Sequence, residues 1–78
     1  EPEERLILWK NIFEKTDVEN REENFEYFAE KYELAGGALT NVARYAALSA
    51  IIDKRKKITR LDLIQGISKE LQKEGKAL

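Results

Sequence analysis

Apolar residues recur every three or four positions along most of the chain, which is the spacing of amphipathic helices. The apolar positions of the first segment are Leu6, Trp9 and Phe13, with Leu8 and Ile12 on a neighbouring stripe. Pro2 and the two glutamates after it are typical of a helix start, because proline suits the first turn and carboxylates favour the positive end of the helix dipole. We therefore predict a first helix from Pro2 to about Lys15.

A second, shorter helix is predicted after a polar and acidic connection over residues 16–23. Its apolar positions are Phe25, Phe28, Ala29 and Tyr32, at i, i+3, i+4 and i+7. Asn24 is the predicted N-cap, since an asparagine side chain accepts a hydrogen bond from a free amide of the first turn. The aromatic side chains of these two helices are expected to pack in the core, although one left exposed would mark a partner surface.

A third helix is predicted from about Ala38 to Asp53, after a break over residues 34–37. Its apolar residues lie on nearly every face, which is typical of a central helix. They are Leu39, Val42, Ala43, Ala46, Ala47, Leu48, Ala50, Ile51 and Ile52.

The fourth helix has a predicted start and stop. Thr59 and Asp62 have the spacing of a capping box, and Gly75 is a plausible end. Its predicted buried face consists of Leu61, Ile64, Ile67, Ser68 and Leu71. Because no alternating apolar pattern predicts a strand, the expected fold is all-α, a small four-helix bundle forming one domain over residues 1–78.

Composition narrows the function classes. The 78 residues contain no cysteine and no histidine, which removes disulfides, thiolate nucleophiles, conventional zinc sites and the usual general base near neutral pH. The formal net charge of −1 provides no overall field toward nucleic acid or an anionic membrane. Without a signal peptide or a long apolar run, a cytoplasmic protein that does not enter membranes is expected.

The glycine pair Gly36 and Gly37 precedes the alanine-rich third helix. Such a pair often does no more than break a helix, but it also leaves amides uncovered where a flat or anionic ligand can approach. The chain has no phosphate-binding loop of the form G-x-x-x-x-G-K-[ST], so this is at most half of a nucleotide site.

Two charged clusters have simple interpretations. The basic run Lys54 to Lys57, with Arg60 nearby, is expected to be a solvated loop that offsets the helix dipole, with phosphate contact as the alternative. Glu19, Glu22 and Glu23 lack a calcium-binding loop, so no metal site is expected.

The order of the helices and the stretch Leu34-Ala35-Gly36-Gly37-Ala38-Leu39-Thr40-Asn41-Val42 resemble the C-terminal lid domain of AAA+ ATPases. In that family a Ser-Gly-Ala-Asp-Leu stretch often precedes an alanine-rich helix, and Gly36 matches its glycine. The opening Pro2-Glu3-Glu4-Arg5-Leu6 is similar to the family's entry into the lid, and residues 58–63 resemble the start of its last helix. The chain is also similar to a bacterial branch of this family.

The resemblance implies that the chain is a fragment that covers an adenine nucleotide held by a missing upstream α/β core domain. Gly36 and Gly37 would then face the nucleotide, and Leu8 and Ile12 would lie near the base. Ile12 stands where many members have a histidine, and Ala38 where some branches have an arginine, so contact by packing and backbone groups is expected.

Further expectations follow from the same resemblance. ATP or ADP would bind in the parent protein, with Mg²⁺ held by the core domain. Residues 1–4 would be the hinge, and neighbouring subunits of a homo-oligomeric ring would be partners. The fragment alone would have no catalytic residues, whereas the parent would hydrolyse ATP. A histone-like or other helical DNA-binding module, and a ligand-free protein-binding adaptor, remain as alternatives.

Overall fold

The chain folds into four α-helices, as the apolar spacing predicts, and contains no regular β-strand. The computed structural model describes all 78 residues. The helices are α1 (Pro2–Ile12), α2 (Arg21–Lys31), α3 (Gly36–Ile52) and α4 (Arg60–Lys73). The all-α prediction is therefore confirmed.

The helices pack as two pairs around one core. Helix α1 lies against α2, α3 lies against α4, and α1 also contacts α3. Between α1 and α2, Trp9 stacks on Phe13 with ring centroids 5.4 Å apart, and Phe25 and Phe28 lie 5.4 and 5.8 Å from the Trp9 ring. These four aromatic side chains are fully buried, which confirms their predicted place in the core.

The first two helices differ from the prediction at the ends that face each other. Helix α1 ends at Ile12 rather than near Lys15. Helix α2 begins at Arg21, and its N-cap is Asn20, four residues before the predicted Asn24 cap and in the left-handed conformation, with φ 47°. Asn24 is instead buried inside α2, where its Nδ2 donates to the Glu19 carbonyl and its Oδ1 accepts from Arg60.

Helix α3 begins and ends close to the predicted positions, but it is not buried all round. It includes both glycines in its first turn, so the break lies before Gly36 rather than across the pair. Leu48, Ile51 and Ile52 point to solvent in its last turns. Helix α3 is therefore central along its first three turns only.

The end of α3 contains a residue with unfavourable backbone geometry. Lys54 has φ +58°, and the Lys54 and Arg55 amides bond back to the carbonyls of Ile51 and Ala50 at 3.0 and 2.8 Å. This is a Schellman motif, in which the left-handed position is normally glycine because a Cβ there is strained.

Replacing Lys54 with glycine is therefore expected to stabilise the chain, by about 0.5 to 1 kcal/mol. For a domain of this size the thermal midpoint should rise by about 2 to 8 °C, measured by circular dichroism. Lys56→Gly is the matched control, since Lys56 has no positive φ, and it should not raise the midpoint. A lower midpoint for Lys54→Gly would contradict the assignment of strain.

Helix α4 confirms both of its predicted ends. The Asp62 amide donates to Thr59 Oγ1 at 3.3 Å and the Thr59 amide donates to Asp62 Oδ2 at 2.9 Å, which completes the capping box. Gly75 follows the helix with φ +74°, and the Gly75 and Lys76 amides bond to Gln72 and Leu71 in a second Schellman motif.

The buried face of α4 is rotated from the predicted one. Leu61 is 59% exposed, whereas Leu63, which the prediction omitted, is fully buried. The buried stripe is Leu63, Gly66, Ile67, Glu70 and Leu71, at i, i+3, i+4, i+7 and i+8. Gly66 and Glu70 are not apolar, so this stripe looks less hydrophobic in the sequence than the neighbouring one that contains Leu61 and Ile64. The apolar pattern therefore predicts the wrong face.

Gly66 brings α4 unusually close to α3. A Cβ at this position would lie 3.1 Å from Val42 Cγ1 and 3.2 Å from the Val42 carbonyl oxygen. Only glycine fits such an approach without displacing the α3 backbone, so these two helices are held together by direct backbone contact.

The α1–α2 turn and the α3–α4 turn, two of the three connections between helices, are joined by a single β-bridge. Val18 and Ile58 pair in parallel, with the Glu19 amide 2.8 Å from the Ile58 carbonyl and the Ile58 amide 2.9 Å from the Asp17 carbonyl. Both side chains are buried. The α1–α2 turn is therefore tied to the α3–α4 turn at one end of the molecule.

Candidate functional site

A concavity of about 340 Å³ lies at the opposite end of the molecule, where α1 begins and α3 begins. Its lining residues are Glu1, Glu4, Arg5, Leu8, Glu33, Leu34 and Ala35. The chain between α2 and α3 forms one wall, because Tyr32 and Ala35 both have extended backbone conformations. Leu34 is buried and anchors this wall to the core.

The first turn of α3 is open beside this concavity. The N-cap residue Ala35 has no side chain that can accept a hydrogen bond, and the Leu39 amide is the first to bond within the helix, at 2.9 Å from the Ala35 carbonyl. The amides of Gly36, Gly37 and Ala38 therefore have no acceptor within the helix. They carry the positive end of the dipole of a helix of 17 residues.

Two of the predicted site residues lie together and a third lies next to them. A Cβ on Gly36 would be 3.8 Å from Leu8 Cδ2, so the Leu8 side chain covers one side of this glycine. Gly37 is exposed, and nothing lies within 4 Å of the place where its Cβ would be. The backbone is thus accessible from the solvent side at Gly37 and partly covered at Gly36.

Ile12 does not line the concavity. It lies one helical turn beyond Leu8 on α1, is half-buried, and packs against the core. A ligand in the concavity would meet Leu8 first, and Ile12 would support the Leu8 face from behind.

The charges around the concavity are mainly negative. Arg5 is engaged elsewhere, because its Nε donates to the Ala29 carbonyl at 2.7 Å and so satisfies the end of α2. The remaining charged side chains in the lining are Glu1, Glu4 and Glu33, all exposed. Their carboxylates disfavour a phosphate inside the concavity and suit a neutral ring or a sugar that donates hydrogen bonds.

Two of the cations near the α3–α4 turn have structural roles. Arg55 donates to Asp62 Oδ2 at 2.8 Å and to Asp53 Oδ2 at 3.1 Å. The Arg60 guanidinium lies 4.7 Å from the centre of the Tyr27 ring and donates to the side-chain Oδ1 of Asn24. Lysines 54, 56 and 57 are exposed, so the predicted solvated loop describes these three residues but not the arginines.

Two carboxylates on α4 are buried: Asp62, whose capping role the sequence predicts but whose burial it does not, and Glu70, which the sequence does not single out. Asp62 accepts hydrogen bonds from Arg55, Ser49 and the Thr59 amide. Glu70 accepts from Lys73 at 2.7 Å and from Asn41 at 3.2 Å; the Lys73 contact is the main reason that the pKa of Glu70 lies below its usual value. No three carboxylates are grouped in a way that would hold a metal ion.

No protein-family model and no curated protein matches this chain. The helices are also too short or too polar for any of them to cross a bilayer.

Proposed function

We propose that this chain is the lid domain of an AAA+ ATPase, which covers an adenine nucleotide bound by a separate core domain. The observation that carries this proposal is the uncapped first turn of α3, open at Gly37 and bordered by Leu8 beside the concavity. A base would pack against Leu8 and the glycine backbone, while the ribose hydroxyls would donate to the carboxylates of the rim.

Half of such a pocket is expected to bind nucleotide weakly. The chain has no loop for the β- and γ-phosphates and no acidic residue placed for magnesium, so the core domain would supply both and carry out hydrolysis. For the isolated chain we expect a dissociation constant of about 1 mM or weaker, since few contacts offset the entropy lost by the ligand.

The packing of the chain suits a lid that moves as one body. Fifteen apolar residues from all four helices and the three connections between them form one core, so the helices have little freedom to move separately. In the parent, hydrolysis would change the angle between lid and core at a hinge near residues 1–4. Neighbouring subunits of a ring would respond to this angle.

The proposal is tested by amide chemical shifts of the parent protein titrated with ADP and Mg²⁺. The amides of Gly36, Gly37 and Ala38 should shift strongly, whereas the amide of Lys56, in the α3–α4 turn at the opposite end of the molecule, should not. Gly37→Val should weaken ADP binding by about tenfold or more, because a branched side chain covers the exposed backbone without a clash in the fold. Leu61→Val, at an exposed position near that turn, is the control and should leave affinity unchanged.

Two outcomes would overturn the lid proposal. One is that ADP leaves the three amides unshifted in a parent that binds it. The other is a parent with no Walker loop about 150 to 200 residues before Pro2, which is the span of one α/β domain. In that case salt-sensitive binding of duplex DNA would favour the helical DNA-binding alternative, and no binding of either ligand would favour the adaptor.

A further inference from the structure

The charges of the chain are segregated between its two helix pairs. Residues 1–35, which contain α1 and α2, have 11 acidic and 5 basic side chains, an excess of six negative charges. Residues 36–78, which contain α3 and α4, have 4 acidic and 9 basic side chains, an excess of five positive charges. The small net charge therefore conceals two surfaces of opposite sign, which attract each other between molecules.

The basic pair carries an exposed apolar cluster. Leu48, Ile51 and Ile52 lie at i, i+3 and i+4 on one face of α3, and both isoleucines are 69% exposed. We call these three residues the aliphatic knob. The exposed lysines 54, 56 and 57 follow it directly along the chain. Large aliphatic side chains grouped on a surface are typical of a contact site.

The acidic pair carries a matching groove. Between α1 and α2 a groove of about 220 Å³ has an apolar floor of Pro2, Leu6 and Ala29. Its rim consists of Glu3, Glu26 and Glu30, all exposed. We call these six residues the acidic groove; none of them lies at the first turn of α3.

We propose that the aliphatic knob of one copy of this chain docks into the acidic groove of a second copy. The isoleucines would enter the apolar floor, and the lysines after α3 would face the glutamates of the rim. Each copy keeps a free knob and a free groove, so the contact is head-to-tail and leads to a ring or an open chain. This inference does not depend on nucleotide binding.

The association should be weak and sensitive to salt. A contact between one groove and three side chains buries less surface than a stable complex needs, so we expect a dissociation constant of about 100 μM to 1 mM at low ionic strength. At such a concentration of chain the weight-average mass should be about twice the monomer mass of 9.1 kDa. Screening at high salt should return it to the monomer value.

Sedimentation velocity of the chain and two variants tests the proposal. Ile51→Glu alters only the knob, and Glu26→Lys with Glu30→Lys alters only the groove. Each variant alone should stay monomeric, but an equal mixture should form dimers, because an intact knob then meets an intact groove. Leu78→Glu, and Glu14→Lys with Glu19→Lys, make the same changes at exposed positions elsewhere and should associate like the original chain. Circular dichroism establishes that each variant is folded.

Three results would overturn the proposal. The first is a monomer at millimolar concentration and low salt. The second is loss of association in the knob variant while the groove variant still associates, which would indicate a symmetric knob-to-knob dimer. The third is an unchanged monomer that instead binds vesicles of anionic lipid, which would make the knob a membrane contact.

Discussion

Replacing Trp9 with alanine is expected to remove a large share of the free energy of unfolding at 25 °C. The Trp9 side chain is 1% exposed and lies against three phenylalanine rings, so it joins α1 to α2 at the centre of the core. Truncating a buried tryptophan costs about 3 to 5 kcal/mol. A domain of 78 residues has a total stability of about 4 to 12 kcal/mol.

Urea unfolding followed by circular dichroism measures this loss. Ile7→Ala on the same helix is the matched control, because Ile7 is largely exposed and its truncation should change the free energy of unfolding by no more than about 0.5 kcal/mol. A cost below about 1.5 kcal/mol for Trp9→Ala would mean that the aromatic cluster does not carry the core.

The second large effect is expected at Asp62, a buried carboxylate that joins three elements. Its oxygens accept hydrogen bonds from Ser49 in α3, from Arg55 in the turn after α3, and from the Thr59 amide at the start of α4. Asp62→Ala removes these bonds and the capping box, and leaves Arg55 without its main partner. We expect a loss of about 3 to 5 kcal/mol at pH 7, measured by urea unfolding.

Asp53→Ala is the matched control for the same arginine. Asp53 also bonds Arg55, but its side chain is 62% exposed, so this pair should contribute less than about 1 kcal/mol. Equal losses in the two variants would contradict the assignment of Asp62 as the principal partner.

The same carboxylate gives the stability a defined dependence on pH. Burial acts to raise the pKa of Asp62, but the hydrogen bonds from Arg55, Thr59 and Ser49 outweigh it and lower the pKa from 3.8 to about 2. Because the folded pKa is the lower one, the stabilisation is complete above pH 4 and is lost as the pH falls to about 2. The amount lost is about 2 kcal/mol, and its absence in Asp62→Ala separates it from that of other carboxylates.

The helices could be predicted where apolar spacing and capping agree. The aromatic residues of α1 and α2 and the capping box of α4 each define their element locally. The buried face of α4 could not be predicted in this way, because the burial of Asp62 and Glu70 depends on packing against α3, where Ser49 and Asn41 donate to their carboxylates. Nor did local propensity predict an N-cap at Asn20 in the left-handed conformation.

Only one part of the candidate site, the glycine pair, could be predicted from the sequence. The glycine pair is visible in the sequence, but the carboxylates of Glu4 and Glu33 meet beside it only because α1 and the α2–α3 connection come together in the fold. The aliphatic knob could not be predicted for a related reason. A helix with apolar residues on every side predicts full burial, and only the packing of the helices shows that Ile51 and Ile52 are exposed.

The pairing of Val18 with Ile58 has a mechanical consequence. It joins the two helix pairs where α1 and α3 end, while the α2–α3 connection joins them covalently at the opposite end, with Leu34 buried in the core. The two pairs are therefore closed at both ends around one core and resist movement against each other. The walls of the concavity are held at a fixed spacing, so a molecule that enters it meets a preformed surface.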